Sequence, residues 1–110
     1  MELYNATEAF SSLSQETRLR VFKLIIEYGR DGVIPSKIAS ELKIPDNTLS
    51  FHLSHMNGAG LVTSKKNGRS VTYFANTDYI EELISFMREN CCAKETPKKT
   101  KTKQCNERKC

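Results

Sequence analysis

The sequence predicts a mainly α-helical domain with a β-hairpin, in the order ααααββα. Apolar residues recur at helical spacing through most of the chain, and an Asn-Gly pair separates two strand-like runs. A chain of 110 residues has room for one such domain and a tail, which excludes a large multidomain enzyme. Hydrophobic residues make up 38% of the chain. They never form a run of about 18, so we expect a folded body without a membrane-spanning helix.

Two helices are predicted in the first part of the chain. The apolar residues of the first helix, over 3–13, recur at helical spacing: Leu3, Ala6, Phe10 and Leu13. Ser14 and Thr17 interrupt this pattern, and a second apolar series then runs from Leu19 to Ile26. Gly29 is expected to end the second helix, because glycine is common immediately after a helix.

A tight turn between a third and a fourth helix predicts a helix-turn-helix. Pro35 suits the first turn of the third helix, where its missing N–H is not needed. The turn over 43–47 offers Asp46 or Asn47 as the cap of the fourth helix, which is predicted over 47–57. The apolar stripe of that helix consists of Leu49, Leu53 and Met56.

A hairpin and a fifth helix complete the predicted domain. Asn67-Gly68, between the strand-like residues 61–66 and 70–74, is a strong hairpin signal. Asp78 and Glu81 offer a capping box for a last helix over 78–92, which is expected to reach Cys91. A helix-turn-helix followed by a hairpin is a winged helix-turn-helix, here expected over residues 1–92.

Residues 93–110 form a second region of different composition. They contain seven Lys or Arg against two Glu, a net charge of +5, whereas the whole chain has +4. The body over 1–92 therefore has a net charge of −1. Because the tail has hardly any apolar residues, we expect it to be flexible when nothing is bound. Its lysines are expected to keep it soluble or to add nonspecific attraction for DNA.

Four ordered motifs in the body resemble the ArsR/SmtB family of winged-helix repressors. They are Ser14-Gln15-Glu16-Thr17-Arg18-Leu19-Arg20, Leu49-Ser50-Phe51-His52-Leu53, Ala59-Gly60-Leu61-Val62, and Gly68-Arg69 through Tyr73. The closing Glu89-Asn90-Cys91-Cys92 is similar to the arsenic-responsive branch, in which vicinal cysteines end the last helix. The resemblance implies a homodimer that represses its own operon and leaves the DNA when an inducer binds.

The resemblance also implies how two copies of the chain would pair. The first and last helices would pack across a two-fold axis, and two recognition helices would then lie about one DNA turn apart on an inverted repeat. The predicted interface consists of apolar residues of those two helices: Leu3, Ala6, Phe10, Ile80, Leu83, Ile84 and Met87.

The helix over 47–57 would be the recognition helix in the major groove. Its polar side chains are expected to project outward: Asn47, Thr48, Ser50, His52, Ser54 and His55. Such groups hydrogen-bond to phosphates and base edges, and the resemblance implies DNA contact at Ser50 and His52. The alternative is a helix face that is merely solvated. For the two histidines, DNA contact is a better explanation than a metal site, because the face has no carboxylate. Phe51 is expected to pack under the neighbouring helix rather than to meet a thymine methyl group.

Three basic residues surround the predicted hairpin tip: Lys65, Lys66 and Arg69. A wing with this charge is expected to contact the DNA backbone or the minor groove, with a salt-dependent affinity. The alternative is a solvated hairpin whose lysines discourage pairing with other strands.

The adjacent Cys91 and Cys92 predict a site for a soft ion. Adjacent cysteines rarely bridge each other, because the ring that would form is strained. Trivalent arsenic or antimony takes three thiolates, so Cys105 or Cys110 is expected to supply the third, with Cys105 preferred for its shorter reach. A site made of the pair alone would suit a methylated arsenite. The arsenical is expected as an inducer, and no permanent cofactor is predicted.

Other functions explain the sequence less well than arsenic sensing. Zinc is disfavoured, because adjacent cysteines suit a tetrahedral site poorly and the last helix has no histidine for the family's other zinc site. The helix over 35–42 also lacks the cysteines of the cadmium or lead variant, whereas thiol oxidation stays open. A metal carrier would leave the helix-turn-helix unexplained, and the sequence offers no catalytic nucleophile–base pair. Residues 1–5 do not resemble a secretory signal, so a cytoplasmic location with reduced thiols is expected.

Overall fold

The computed structural model describes residues 1–97 and has the predicted order of elements. The helices are α1 (Leu3–Leu13), α2 (Glu16–Tyr28), α3 (Pro35–Leu42), α4 (Asp46–Gly58) and α5 (Thr77–Arg88). The strands are β1 (Val62–Asn67) and β2 (Ser70–Ala75), and a short 3₁₀ turn, Gly29–Asp31, follows α2. The predicted winged helix-turn-helix is therefore confirmed. Within residues 1–97, no helix combines the length and the apolar character needed to cross a membrane.

The hydrophobic core forms where the first four helices pack together with the start of β1. Its largest fully buried apolar side chains are Ile25, Ile38, Leu49, Leu53, Met56 and Leu61. Burying each of them stabilises the fold by about 1.5–3 kcal/mol relative to exposure. Three of the six belong to α4, so the predicted apolar stripe of that helix is confirmed and the core fixes its position.

Local signals set the two ends of α2. The side chain of Gln15 accepts a hydrogen bond from the backbone N–H of Arg18 (2.8 Å), which satisfies one of the free N–H groups at the helix start. Gly29, with φ of 57°, ends the helix as predicted. Gly32 then has φ of 70°, and a Cβ there would lie 2.6 Å from side-chain atoms of Thr72 and Phe74. Only glycine fits this close approach to β2.

The start of α4 differs from the prediction. Pro45, with φ of −59° and ψ of 145°, occupies the N-cap position, and no side chain caps the helix. Asp46 instead lies in the first turn, where its carboxylate complements the positive end of the helix dipole. The predicted capping by Asp46 or Asn47 is thus wrong. Pro45 favours the extended conformation that precedes a helix, so α4 begins at Asp46, one residue earlier than predicted. Pro35 lies in the first turn of α3, as predicted.

The hairpin pairs β1 and β2 in an antiparallel register from Val62↔Ala75 to Asn67↔Ser70. Asn67 is therefore the last paired residue of β1, and the two-residue turn is Gly68-Arg69 rather than the predicted Asn67-Gly68. Gly68 has φ of 67°, which a turn with glycine at its first central position requires. An additional bridge joins Val33 to Tyr73 through two backbone hydrogen bonds of 2.9 and 2.8 Å, so the start of the helix-turn-helix is tied to the hairpin.

Both ends of α5 differ from the prediction. Asn76, not Asp78, caps the helix: its side chain accepts from the backbone N–H of Tyr79 (3.3 Å) and donates to the Gly60 carbonyl (3.0 Å). The helix ends at Arg88, and Glu89 is extended, so the predicted continuation to Cys91 is wrong. The chain leaves the helix at Glu89, and Asn90 then adopts a left-handed conformation with φ of 61°.

Candidate nucleic-acid interface and thiol pair

The outer face of α4 is the candidate surface for DNA. Because the core holds its opposite side, the helix exposes five of the six predicted polar side chains, His55 and four others: Asn47, Thr48, Ser50 and Ser54. All four are short, and their hydroxyl or amide groups can hydrogen-bond to phosphates and to base edges. The structure therefore places these four polar groups on the outer face of α4.

Phe51 lies at the centre of this outer face and is 63% exposed. The predicted packing of Phe51 under the neighbouring helix is wrong. The reason is its position: Phe51 follows the buried Leu49 by two residues, which places it about 200° around the helix from that side chain. Its ring meets the edge of the His52 ring, with a centroid separation of 5.7 Å and an interplanar angle of 65°.

His52 is buried, with only 8% of its surface exposed, so its predicted projection toward DNA is wrong. Nη1 of Arg18 lies 3.3 Å from Nδ1 of His52. A guanidinium group only donates hydrogen bonds, so Nδ1 must accept and the imidazole must be neutral in this contact. Burial lowers the pKa of His52 below its usual value, and the positive charge of Arg18 and the neighbouring His55 lower it further.

A second contact joins α4 to α1. Oγ of Ser12, which is fully buried, lies 3.0 Å from Nδ1 of His55, and the Ser12 carbonyl accepts a hydrogen bond from Nε of Arg18 (2.8 Å). His55 itself stays exposed, as predicted, although one ring nitrogen is occupied by Ser12. Together with the Arg18–His52 contact, these bonds form a polar network that links α1, α2 and the recognition helix.

Two residues of the candidate site, Ser12 and Arg18, were not predicted from the sequence. Arg18 belongs to one of the motifs that resemble the ArsR/SmtB family, but its partner His52 on α4 lies 34 residues later in the sequence. Ser12 lies on the buried side of α1 with Ala6 and Ala9, and a polar residue at this helical spacing was the available signal. A polar residue with zero exposure indicates a hydrogen-bond partner, which the sequence did not identify.

The hairpin presents the three predicted basic residues, and all three are exposed. Lys65 and Lys66 are consecutive in β1, so their side chains leave opposite faces of the strand. Arg69 lies in the turn itself, one position closer to the tip than predicted. The wing therefore carries positive charge on both faces and at its end.

The sulfur atoms of Cys91 and Cys92, here called the cysteine pair, lie close together just beyond α5. Their Sγ atoms are 3.5 Å apart, and both residues are exposed. Two sulfurs bound to one ion at the usual metal–thiolate distance of about 2.3 Å are separated by at most about 4.6 Å, so this spacing fits a shared ion. Cys105 and Cys110 lie outside the described residues. Within residues 1–97, no group of three or more His, Cys, Asp or Glu side chains is placed to hold a metal.

An apolar surface runs along the outer sides of α1 and α5. Of the predicted interface residues, four are at least 41% exposed: Leu3, Phe10, Ile84 and Met87. Tyr4, which was not predicted, joins them with 72% exposure, and Ile80 is half-buried. Ala6 and Leu83 are instead buried in the core of the protomer, so their predicted interface role is wrong. We call the five exposed residues the α1/α5 apolar surface.

Comparisons with known proteins agree with this geometry. Residues 13–65 match a helix-turn-helix domain family. An uncharacterized HTH-type transcriptional regulator of Methanocaldococcus jannaschii is 37% identical over 90 residues, which is 81% of this chain and 99% of that protein. The chain belongs to the helix-turn-helix transcriptional regulators.

Two solved structures extend this assignment to the winged-helix type. An ArsR-like transcriptional regulator from Rhodococcus sp. RHA1 is 26% identical, with a TM-score of 0.70 over 83% of this chain and 82% of that one. A homodimeric winged helix-turn-helix domain from Mycobacterium bovis has the same fold, with a TM-score of 0.64 and 18% identity over 87% of this chain and 89% of that one. The protein is thus a helix-turn-helix transcriptional regulator whose winged fold is similar to that of an ArsR-like regulator.

Proposed function

We propose that this regulator is a homodimeric, cytoplasmic repressor of an arsenic-resistance operon that leaves its operator when trivalent arsenic or antimony binds its cysteine thiolates. The observation that carries the proposal is the pair of sulfur atoms 3.5 Å apart immediately after α5. Arsenic and antimony are soft and thiophilic, so two neighbouring thiolates are the donors they prefer.

Repression rests on the contacts that α4 and the wing would make with an inverted repeat. The exposed polar side chains of α4 suit the major groove, and the three basic residues of the wing suit the phosphate backbone. Homodimer formation is supported by the α1/α5 apolar surface, since a solvent-exposed cluster of large apolar side chains marks an interaction site. The homodimeric state of the similar M. bovis domain supports it as well.

Release rests on the proximity of the cysteine pair to the α1/α5 apolar surface. Met87 and Ile84 belong to α5, and the cysteine pair begins three residues after the end of that helix at Arg88. An ion held by Cys91, Cys92 and a third thiolate from Cys105 or Cys110 would tie the tail to this end of α5. The ion must bind the DNA-free dimer more tightly than the DNA-bound one, and such coupling typically amounts to about 1–3 kcal/mol.

The decisive experiment is fluorescence anisotropy with reduced, full-length protein and a labelled duplex from upstream of its own gene. We expect tight binding that micromolar arsenite or antimonite reverses, while zinc and peroxide do not. Cys91→Ser and Cys92→Ser should keep DNA affinity and lose the response to arsenite. Ser85→Ala, an exposed change on α5, is the matched control and should respond like the wild type.

The variants also test the third ligand. Cys105→Ser or Cys110→Ser should abolish the response to arsenite while leaving the response to methylarsenite, which needs two thiolates. If the Cys91 and Cys92 variants release DNA as readily as the wild type, the proposed site is wrong.

A redox-responsive repressor is the second candidate, and the exposure and proximity of the two cysteine residues favour it. In that case peroxide releases the DNA and dithiothreitol restores binding, while arsenite has no effect on the reduced protein.

A further inference from the structure

Phe51 is the most exposed large apolar side chain of the helix-turn-helix. It is 63% exposed, whereas Leu49 and Leu53 on either side of it in the sequence are 1% and 2% exposed. Its neighbours on the outer face of α4 are the short polar residues Asn47, Ser50 and Ser54, so the ring extends beyond them. Exposing an aromatic ring costs free energy that burial against a partner would recover.

The surroundings of the ring restrict how it can move. The edge contact with His52, at 5.7 Å between centroids, lies on one side, and the His55 ring lies 6.5 Å away at an angle of 57°. His52 is itself held by Arg18, and His55 by Ser12. The network that links α4 to α1 and α2 therefore also supports the base of the Phe51 side chain, which presents the rest of the ring outward.

A phenyl ring at this position has one apolar partner in the major groove. Base edges there offer hydrogen-bond donors and acceptors, which phenylalanine cannot use, and the C5-methyl group of thymine, which it can. Insertion between base pairs is typical of proteins that widen the minor groove, and an α-helix enters the major groove instead.

We propose that Phe51 contacts a thymine methyl group in each operator half-site and so makes thymine a preferred base at that position. The proposal rests on the DNA-binding function of α4. Phe51 would be an apolar specificity determinant. The other exposed residues of this face, Asn47, Ser50 and Ser54, would act through hydrogen bonds.

The test removes single methyl groups from the DNA. Full-length wild-type protein first selects duplexes from a randomised library, and each thymine of the preferred duplex is then replaced by uracil, which lacks only the C5-methyl group. We expect affinity, measured by fluorescence anisotropy, to fall about four-fold at one thymine per half-site, as loss of one buried methyl group predicts. Replacement of the other thymines should change it less.

The Phe51→Ala variant should lose this sensitivity. It should bind the thymine and uracil duplexes equally at that position and select a library consensus without a preference for thymine there. Phe51→Leu keeps an apolar side chain and should retain part of the preference, which also covers the case that the alanine variant folds poorly. Leu19→Ala removes an exposed apolar side chain from α2 and is the matched control, expected to give the wild-type pattern.

Two results would overturn the proposal, and they are distinguishable. If Phe51→Ala and Phe51→Leu keep the wild-type uracil pattern, the residue does not determine specificity although the protein binds DNA. If the wild type selects no sequence at all, the DNA-binding function of α4 fails and the role of Phe51 fails with it.

Discussion

Helices α4 and α5 are nearly equal in length, with 13 and 12 residues, yet they meet the core in different ways. Helix α4 buries four side chains, including His52, and its outer face is polar apart from Phe51. Helix α5 buries only Leu83 and leaves Ile84 and Met87 exposed. The face that a helix keeps outside the core indicates its partner: a polar face suits DNA, and an apolar face suits another protein chain.

Removing a core contact of α4 should have the largest effect. Leu53→Ala is expected to lower the free energy of unfolding by about 2–5 kcal/mol, because it leaves a cavity beneath the recognition helix. Met87 on α5 is 63% exposed in the protomer, so Met87→Ala should instead weaken dimer formation. Urea unfolding at several protein concentrations separates the two: Leu53→Ala acts at every concentration, whereas the effect of Met87→Ala depends on concentration. Equal behaviour of the two variants would contradict the contrast between the helices.

Breaking the network that supports α4 should have the next largest effect. Arg18→Ala leaves the Ser12 carbonyl and Nδ1 of His52 without their donor, which is expected to cost about 1–3 kcal/mol of unfolding free energy. The variant should also weaken DNA binding, because α4 loses its hydrogen bond to α2 and keeps only the Ser12–His55 contact to α1. Arg20→Ala, an exposed charge change on the same helix, is the control for lost positive charge. Similar stability and affinity for the two variants would show that the network does not position α4.

Acidification should destabilise the fold through His52. Its pKa in the folded protein is below the ordinary value of about 6.5, so between these two pKa values the unfolded chain binds more protons than the folded chain. The free energy of unfolding is therefore expected to decrease as the pH falls from about 7.5 to about 5.5. His52→Gln keeps a hydrogen-bond acceptor for Arg18 but cannot be protonated, so its stability should change less over this range. Parallel denaturation curves for the two proteins at every pH would exclude this role of His52.

Substitutions in the wing should have the smallest effect, and they should act on the salt dependence of DNA binding rather than on stability. Lys65→Ala, Lys66→Ala or Arg69→Ala is expected to weaken binding to all duplexes alike and to reduce the slope of log affinity against log salt by about one. Lys23→Ala, an exposed lysine on α2, should leave that slope unchanged. An unchanged slope for all three wing variants would indicate a solvated hairpin.

The sequence by itself determined the elements whose signals are local. Helical spacing identified α1 to α5, Gly29 marked the end of α2, and Leu49, Leu53 and Met56 marked the buried side of α4. The hairpin was predicted from Asn67-Gly68, although the turn lies one residue later, because an exposed hairpin can shift its register without changing the sequence pattern. These predictions succeeded because each depends on residues within a few positions of one another.

Tertiary contacts decided which side chains of the candidate site are available. His52 turns inward because Arg18, 34 residues earlier, supplies a hydrogen bond that offsets its burial. Ala6 and Leu83 enter the core rather than the α1/α5 apolar surface, and Phe51 stays outside because it faces away from the buried side of α4. A helical repeat gives the direction of a side chain around its own axis, but burial depends on which neighbouring element meets that direction, and only the folded structure supplies it.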